Sequence, residues 1–181
     1  PKDEDELVDM LFTASHEPHP TFIRYPRGPA EGVPLKEQPR LIEIGKAEVI
    51  RNFTNNGGLK VALFPLGNMM ALGRQVATQL SAEGYDVAII NPRFIKPLDA
   101  AVTRFFGEAA DALVSMEDGI LQGGYGSAIL ELFSEQRIST PVIRIGWPDQ
   151  FIEHASTTED LRTKYGLTVE DGLAGEIADD L

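Results

Sequence analysis

Val61-Ala62-Leu63-Phe64 and Val87-Ala88-Ile89-Ile90 are two unbroken apolar runs, and what separates them decides the fold. A strand with one wet face alternates apolar and polar residues, whereas an unbroken run belongs to a strand covered on both faces. Between the runs, residues 69–82 set Met70, Val76, Ala77 and Leu80 on one helical stripe, and Gly84 follows as a helix stop. Strand, helix, strand with both strands fully apolar is the unit of a parallel sheet. The unit recurs. Ala112-Leu113-Val114-Ser115-Met116 and Val142-Ile143-Arg144-Ile145 read as further buried strands. Asp99 is placed to cap a helix running to Phe106, and residues 124–135 form a helix before the last strand. Residues 158–164 and 169–178 read as two terminal helices. Residues 42–50 read as a strand joined to the next by the turn Asn55-Asn56-Gly57-Gly58, which predicts an antiparallel strand at an edge. The predicted fold class is α/β: a three-layer sandwich around a mostly parallel five-stranded sheet with one antiparallel edge strand.

Upstream the pattern changes. Residues 4–14 read as a helix with acids in its first turn, where the macrodipole favours them, and with an apolar stripe of Leu7, Met10 and Leu11. Residues 20–25 read as a strand. One helix and one strand cannot bury their apolar faces alone, so both are predicted to end a preceding domain. Pro26, Gly28, Pro29, Gly32, Pro34 and Pro39 exclude a continuous helix or central strand and predict a stiff, extended crossing. The chain divides as 1–28, the tail of one domain; 29–41, a linker; and 42–181, a complete domain. It does not begin with Met and reads as a piece of a longer polypeptide.

Composition narrows the function. In 181 residues, 43% are hydrophobic, enough for a packed core. The formal net charge of -12 disfavours nonspecific binding to nucleic acid or to anionic membrane, which need a positive field. There is no cysteine, so disulfides and thiolate metal sites are excluded. No apolar run approaches the roughly 20 residues that span a bilayer, and the acidic start shows no signal peptide. A cytoplasmic location fits these features.

Against this acidic background, local cations stand out. Thr21-Phe22-Ile23-Arg24-Tyr25-Pro26-Arg27-Gly28 ends an apolar run in two arginines. The guanidinium fork suits a phosphate or carboxylate; a surface arginine beside a linker is the ordinary alternative. Gly123-Gly124-Tyr125-Gly126-Ser127 opens a helix, where free N–H groups could take an anion. It lacks the Gly-Lys-Ser/Thr ending of a P-loop, and close packing of the helix start is the favoured reading. Glu117-Asp118 at a strand end could act as acid and base, but tethering of backbone or a subunit contact is favoured over metal ligation. Asp149 and His154 lack an accompanying nucleophile, which favours a structural histidine near an interface. Arg93 and Lys96 flank Phe94-Ile95 at a strand's C-terminal end, where open parallel sheets bind ligands, although a solvated rim or subunit contact is the favoured reading. His16 and His19 read as exposed.

Six blocks occur in order: Arg24-Tyr25-Pro26-Arg27-Gly28; Ile44-Gly45-Lys46-Ala47-Glu48-Val49; Pro92-Arg93-Phe94-Ile95-Lys96-Pro97-Leu98-Asp99; Glu117-Asp118-Gly119 with Gly123-Gly124-Tyr125-Gly126-Ser127-Ala128; Gly146-Trp147-Pro148-Asp149-Gln150-Phe151-Ile152-Glu153-His154; and Tyr165-Gly166-Leu167. Together, from about residue 4 onward, they resemble the C-terminal part of the 1-deoxy-D-xylulose-5-phosphate synthase family, a branch of the transketolase superfamily. The resemblance implies a transketolase C-terminal-domain-like fold for 42–181, and the tail of a pyrimidine-binding domain for 1–28. It implies a homodimeric enzyme that condenses pyruvate with glyceraldehyde 3-phosphate, with loss of CO2, using thiamine diphosphate and Mg2+. The product feeds isoprenoid, thiamine and pyridoxal synthesis. Both cofactors would be held by segments absent here, so this piece alone should be inactive. Arg27 holds the place of the family arginine that contacts the acceptor phosphate; Arg24 would anchor the strand end or a domain interface. A 2-oxoacid dehydrogenase beta subunit or a transketolase shares this architecture, but the Arg-Tyr-Pro-Arg-Gly and Gly-x-Pro-Asp-x-Phe-Ile blocks favour the synthase. A free-standing flavodoxin-like binding module is disfavoured by the orphan helix and strand at residues 4–25.

Overall fold

A computed structural model describes residues 1–154, 156–170 and 172–181. Five strands form one sheet in the order β1-β3-β2-β4-β5: β1 (Glu48–Arg51), β2 (Lys60–Pro65), β3 (Asp86–Asn91), β4 (Ala112–Ile120) and β5 (Val142–Trp147). The apolar runs become the centre. Val61 of β2 pairs with Val87 on one side and Ala112 on the other, both in parallel, and β5 adds to β4 in parallel. Alternate residues of these strands feed two cores. Val61, Leu63, Val87, Ile89, Val114 and Met116 meet helices α2 (Met70–Ala82) and α6 (Leu173–Asp179) on one face. Ala62, Phe64, Ala88, Ile90 and Leu113 meet α3 (Ala100–Ala109) and α4 (Tyr125–Gln136) on the other. This is the expected three-layer α/β sandwich. The local signals hold too: the Asp99 side chain accepts from the Val102 N–H at the start of α3, and Gly84, at φ +100°, ends α2 as only glycine does without strain. No helix of the described residues is long and apolar enough to cross a membrane.

Three expectations need correction. The antiparallel edge strand exists, but it spans only Glu48–Arg51 and pairs with β3 rather than with its chain neighbour β2. The turn at 55–58 therefore crosses to the middle of the sheet instead of closing a hairpin. Residues 20–25 form no strand. No sheet edge lies beside them to complete a backbone ladder, and Phe22 is 97% exposed. The last helix begins at Leu173 rather than 169, after a stretch that includes Asp171, which lies outside the described residues.

The upstream helix α1 (Glu4–His16) forms as expected, but its buried face is not the apolar stripe. Leu11 is exposed, while Glu6, Asp9 and Thr13 are buried beside Met10. These polar groups hold the proline-rich segment. Asp5 Oδ1 accepts from the Lys36 N–H at 2.9 Å, Asp9 Oδ1 from the Arg40 N–H at 2.7 Å, and Thr13 Oγ1 from the Ile42 N–H at 2.8 Å. The Lys36 ammonium bridges Asp5 and Asp9 as well. Asp5, in the first turn where acids read as dipole complements, thus binds the backbone of the proline-rich segment. Glu6 points instead at the sheet. It is nearly enclosed, yet it accepts from Arg93 Nε at 2.8 Å, Asn91 Nδ2 at 2.8 Å and Lys2 Nζ at 3.2 Å. A buried charge is tolerable only with such partners. Burial works to raise its pKa, but Arg93 and Lys2 outweigh it and hold Glu6 below the ordinary carboxylate value.

Candidate functional site

Parallel strands end together, and here the C-terminal ends of β2, β3 and β4 line an open cavity of about 700 Å³. Its far wall is α1 and the irregular segment that follows it. Arg24, Arg93 and Lys96 line the cavity, as do Glu17 and Asp118. Arg93 is committed to Glu6 and, at 3.1 Å, to Glu48, so it is neither a free rim cation nor unpaired. Lys96 is exposed at the mouth.

Asp118 organises the floor. Its carboxylate accepts from Asn68 Nδ2 and from Trp147 Nε1, each at 2.6 Å, and Arg162 Nη2 lies 3.7 Å away. Burial opposes ionisation of Asp118, but these donors outweigh it and keep the carboxyl below its ordinary range. Its main-chain oxygen accepts from Arg24 Nη2 at 2.5 Å. Arg24 is therefore an anchor, tying the upstream segment to β4. Trp147 also packs its ring against Tyr165, centroids 5.6 Å apart, which helps to seat α5 (Thr158–Lys164).

Glu117 settles the glycine-rich loop. It is buried beneath the start of α4, where Oε2 accepts from the Tyr125 N–H at 2.8 Å and Oε1 from the Gly126 N–H at 3.0 Å. The anion that this helix start attracts is the protein's own carboxylate. A Cβ on Gly124 would sit 2.2 Å from Glu117 Oε2, and one on Gly126 would sit 2.5 Å from Ser115 Oγ. The glycines are there for close packing, as the sequence favoured, and no diphosphate fits where Glu117 lies. Among the described residues no group of three or more His, Cys, Asp or Glu is placed to hold a metal ion.

The other candidates separate. Asp149 and His154 are both exposed, and no hydrogen bond or ion pair joins them among the described residues. His16 ends α1 with Nδ1 2.8 Å from the Phe12 carbonyl, and His19 is exposed. Arg27 is exposed, follows the cavity-lining Pro26, and makes no hydrogen bond or ion pair among the described residues. Asn68, Trp147 and Arg162 were not singled out as site residues. The available signal was position: Asn68 and Trp147 stand at strand ends on the rim where ligands bind in such sheets.

Residues 45–171 match the family model described as "Transketolase, C-terminal domain". The chain is 53% identical over 173 residues to 1-deoxy-D-xylulose-5-phosphate synthase of Methylacidiphilum infernorum, covering 96% of this chain and 26% of that protein. It is 43% identical to the protein of the same name from Acidobacterium capsulatum, over 94% of this chain and 26% of that one. The chain thus spans about a quarter of the length of these relatives. Among solved structures it resembles a split gene transketolase, described as an inactive beta4 tetramer. That match has a TM-score of 0.63 and 32% identity, over 77% of this chain and 44% of that one.

Proposed function

The chain belongs to the transketolase C-terminal domain family, and from that premise we propose that it is part of a 1-deoxy-D-xylulose-5-phosphate synthase. The observation that carries the reading is 53% identity across nearly the whole chain to a protein of that name. In this reading residues 1–28 end the pyrimidine-binding domain, 29–41 link the domains, and 42–181 form the C-terminal domain. The complete enzyme, a cytoplasmic homodimer, takes pyruvate and glyceraldehyde 3-phosphate. Pyruvate loses CO2, and its two-carbon remainder joins the aldehyde carbon of the acceptor. Thiamine diphosphate and Mg2+ belong to segments outside this chain, which is inactive alone. Arg27 contributes the guanidinium that grips the acceptor phosphate. Its support is an exposed cation that makes no hydrogen bond or ion pair among the described residues, one position after the cavity-lining Pro26. Fork geometry and permanent charge make arginine apt for that task.

The test is product analysis on the complete polypeptide. With both substrates, thiamine diphosphate and Mg2+, equimolar CO2 and 1-deoxy-D-xylulose 5-phosphate should form. Two-carbon transfer between sugar phosphates without CO2 would point to a transketolase instead.

A further inference from the structure

We infer that Glu4 and Arg24 are positioning residues for Arg27, each holding one side of the loop that carries it. The inference rests on the phosphate-gripping reading of Arg27 given above. The loop, residues 17–30, leaves the end of α1 and has no helix or strand of its own. No regular backbone ladder fixes it, so its course depends on individual contacts.

Two contacts bracket Arg27. On the near side, Arg24 Nη2 donates to the Asp118 main-chain oxygen at 2.5 Å, across 94 positions of sequence. That oxygen is well held, because Asn68 and Trp147 grip the Asp118 carboxylate at 2.6 Å each. On the far side, the Glu4 carboxylate accepts from three successive main-chain N–H groups: Glu31 at 3.2 Å, Gly32 at 2.7 Å and Val33 at 2.8 Å. Lys36, the nearest linker cation, pairs with Asp5 and Asp9, so Glu4 is left to the backbone.

Arg27 lies three residues after the first tether and four before the second. Three residues reach at most about 10 Å, so with either tether gone Arg27 is held from one side only and can swing through a distance of that order. A forked guanidinium–phosphate contact tolerates little of that, since a displacement of about 1 Å can cost on the order of a hundredfold. Removal of a tether should weaken use of the phosphorylated acceptor and spare pyruvate, which carries no phosphate.

The experiment uses the complete enzyme, saturated with thiamine diphosphate and Mg2+. Steady-state constants for both substrates are measured on Glu4→Ala, Arg24→Met, Arg27→Ala and the two doubles with Arg27→Ala. Each single tether variant should raise the acceptor KM roughly threefold to thirtyfold. The pyruvate KM and kcat should stay within about twofold. In the Arg27→Ala background neither tether variant should add anything, because the residue it positions is gone. Should Arg24→Met fail to fold, Arg24→Gln, which also lacks the guanidinium, takes its place. An unchanged acceptor KM in the tether variants, beside a raised one in Arg27→Ala, would overturn the inference; so would effects that multiply in the doubles. If Arg27→Ala itself leaves the acceptor KM unchanged, the phosphate-gripping reading fails first, and that single variant reveals it.

Discussion

Glu117 shows how far a residue can be read from its neighbours. Two acids at a strand end, followed by glycines before a helix, allow a metal site, an acid–base pair or an anion cradle. The sequence favoured tethering and close packing, and the structure agrees, because Glu117 fills the cradle itself. What sequence lacked was direction, since adjacent residues on a strand point to opposite faces. Glu117 turns under α4 while Asp118 turns to the cavity, and the pair never acts as a pair. Glu117→Gln should replace one acceptor oxygen by a donor facing N–H groups. We expect a loss of about 1–3 kcal/mol in stability, read by urea denaturation, with no change in Mg2+ binding. An unchanged midpoint would mean that α4 does not depend on this cap.

Among elements, the doubly covered strands were legible and the upstream segment was not. Unbroken apolar runs leave little choice of environment, which is why β2, β3 and β4 fall where expected. α1 was legible as a helix but not as an oriented one. Its apolar stripe suggested the buried face, whereas Asp5, Asp9 and Thr13 turn toward the proline-rich segment because its N–H groups need acceptors and have no sheet to supply them. The strand expected at 20–25 fails for the converse reason: apolar residues alone do not make a strand without a partner edge. Thr13→Val tests the ladder at constant shape. It leaves the Ile42 N–H buried without an acceptor, which should cost about 1–3 kcal/mol. Thermal melts of the chain should show a lower Tm, and an equal Tm would remove Thr13 from the account.

At the scale of the whole molecule, carboxylates with lowered pKa values set the response to acid, Glu6, Asp86 and Asp118 among them. Glu6 and Asp118 have folded pKa values below their ordinary 4.5 and 3.8. A carboxyl lowered in this way stabilises the fold fully above its ordinary value, and that stability is lost as pH falls through the folded one. Tm should therefore be nearly level down to about pH 5 and drop below about pH 4, and Glu6→Gln should flatten the drop. An unaltered acid limb in that variant would place the sensitivity elsewhere. The fold and the family could be read at this scale because they rest on spacing along the chain. The cavity and the Asp118 cluster could not, because they join residues 24, 68, 118, 147 and 162, which only the fold brings together. The proposed substrate contact stands most directly on Arg27, and steady-state kinetics of Arg27→Ala in the complete polypeptide, on both substrates, tests it. A charge-assisted contact is worth roughly 1.5–3 kcal/mol, so kcat/KM for glyceraldehyde 3-phosphate should fall about tenfold to a hundredfold or more. The pyruvate KM should barely move, and Arg27→Lys should recover only part of the loss. An unchanged acceptor kcat/KM, with only the thermal melt displaced, would contradict the account and make Arg27 a linker anchor.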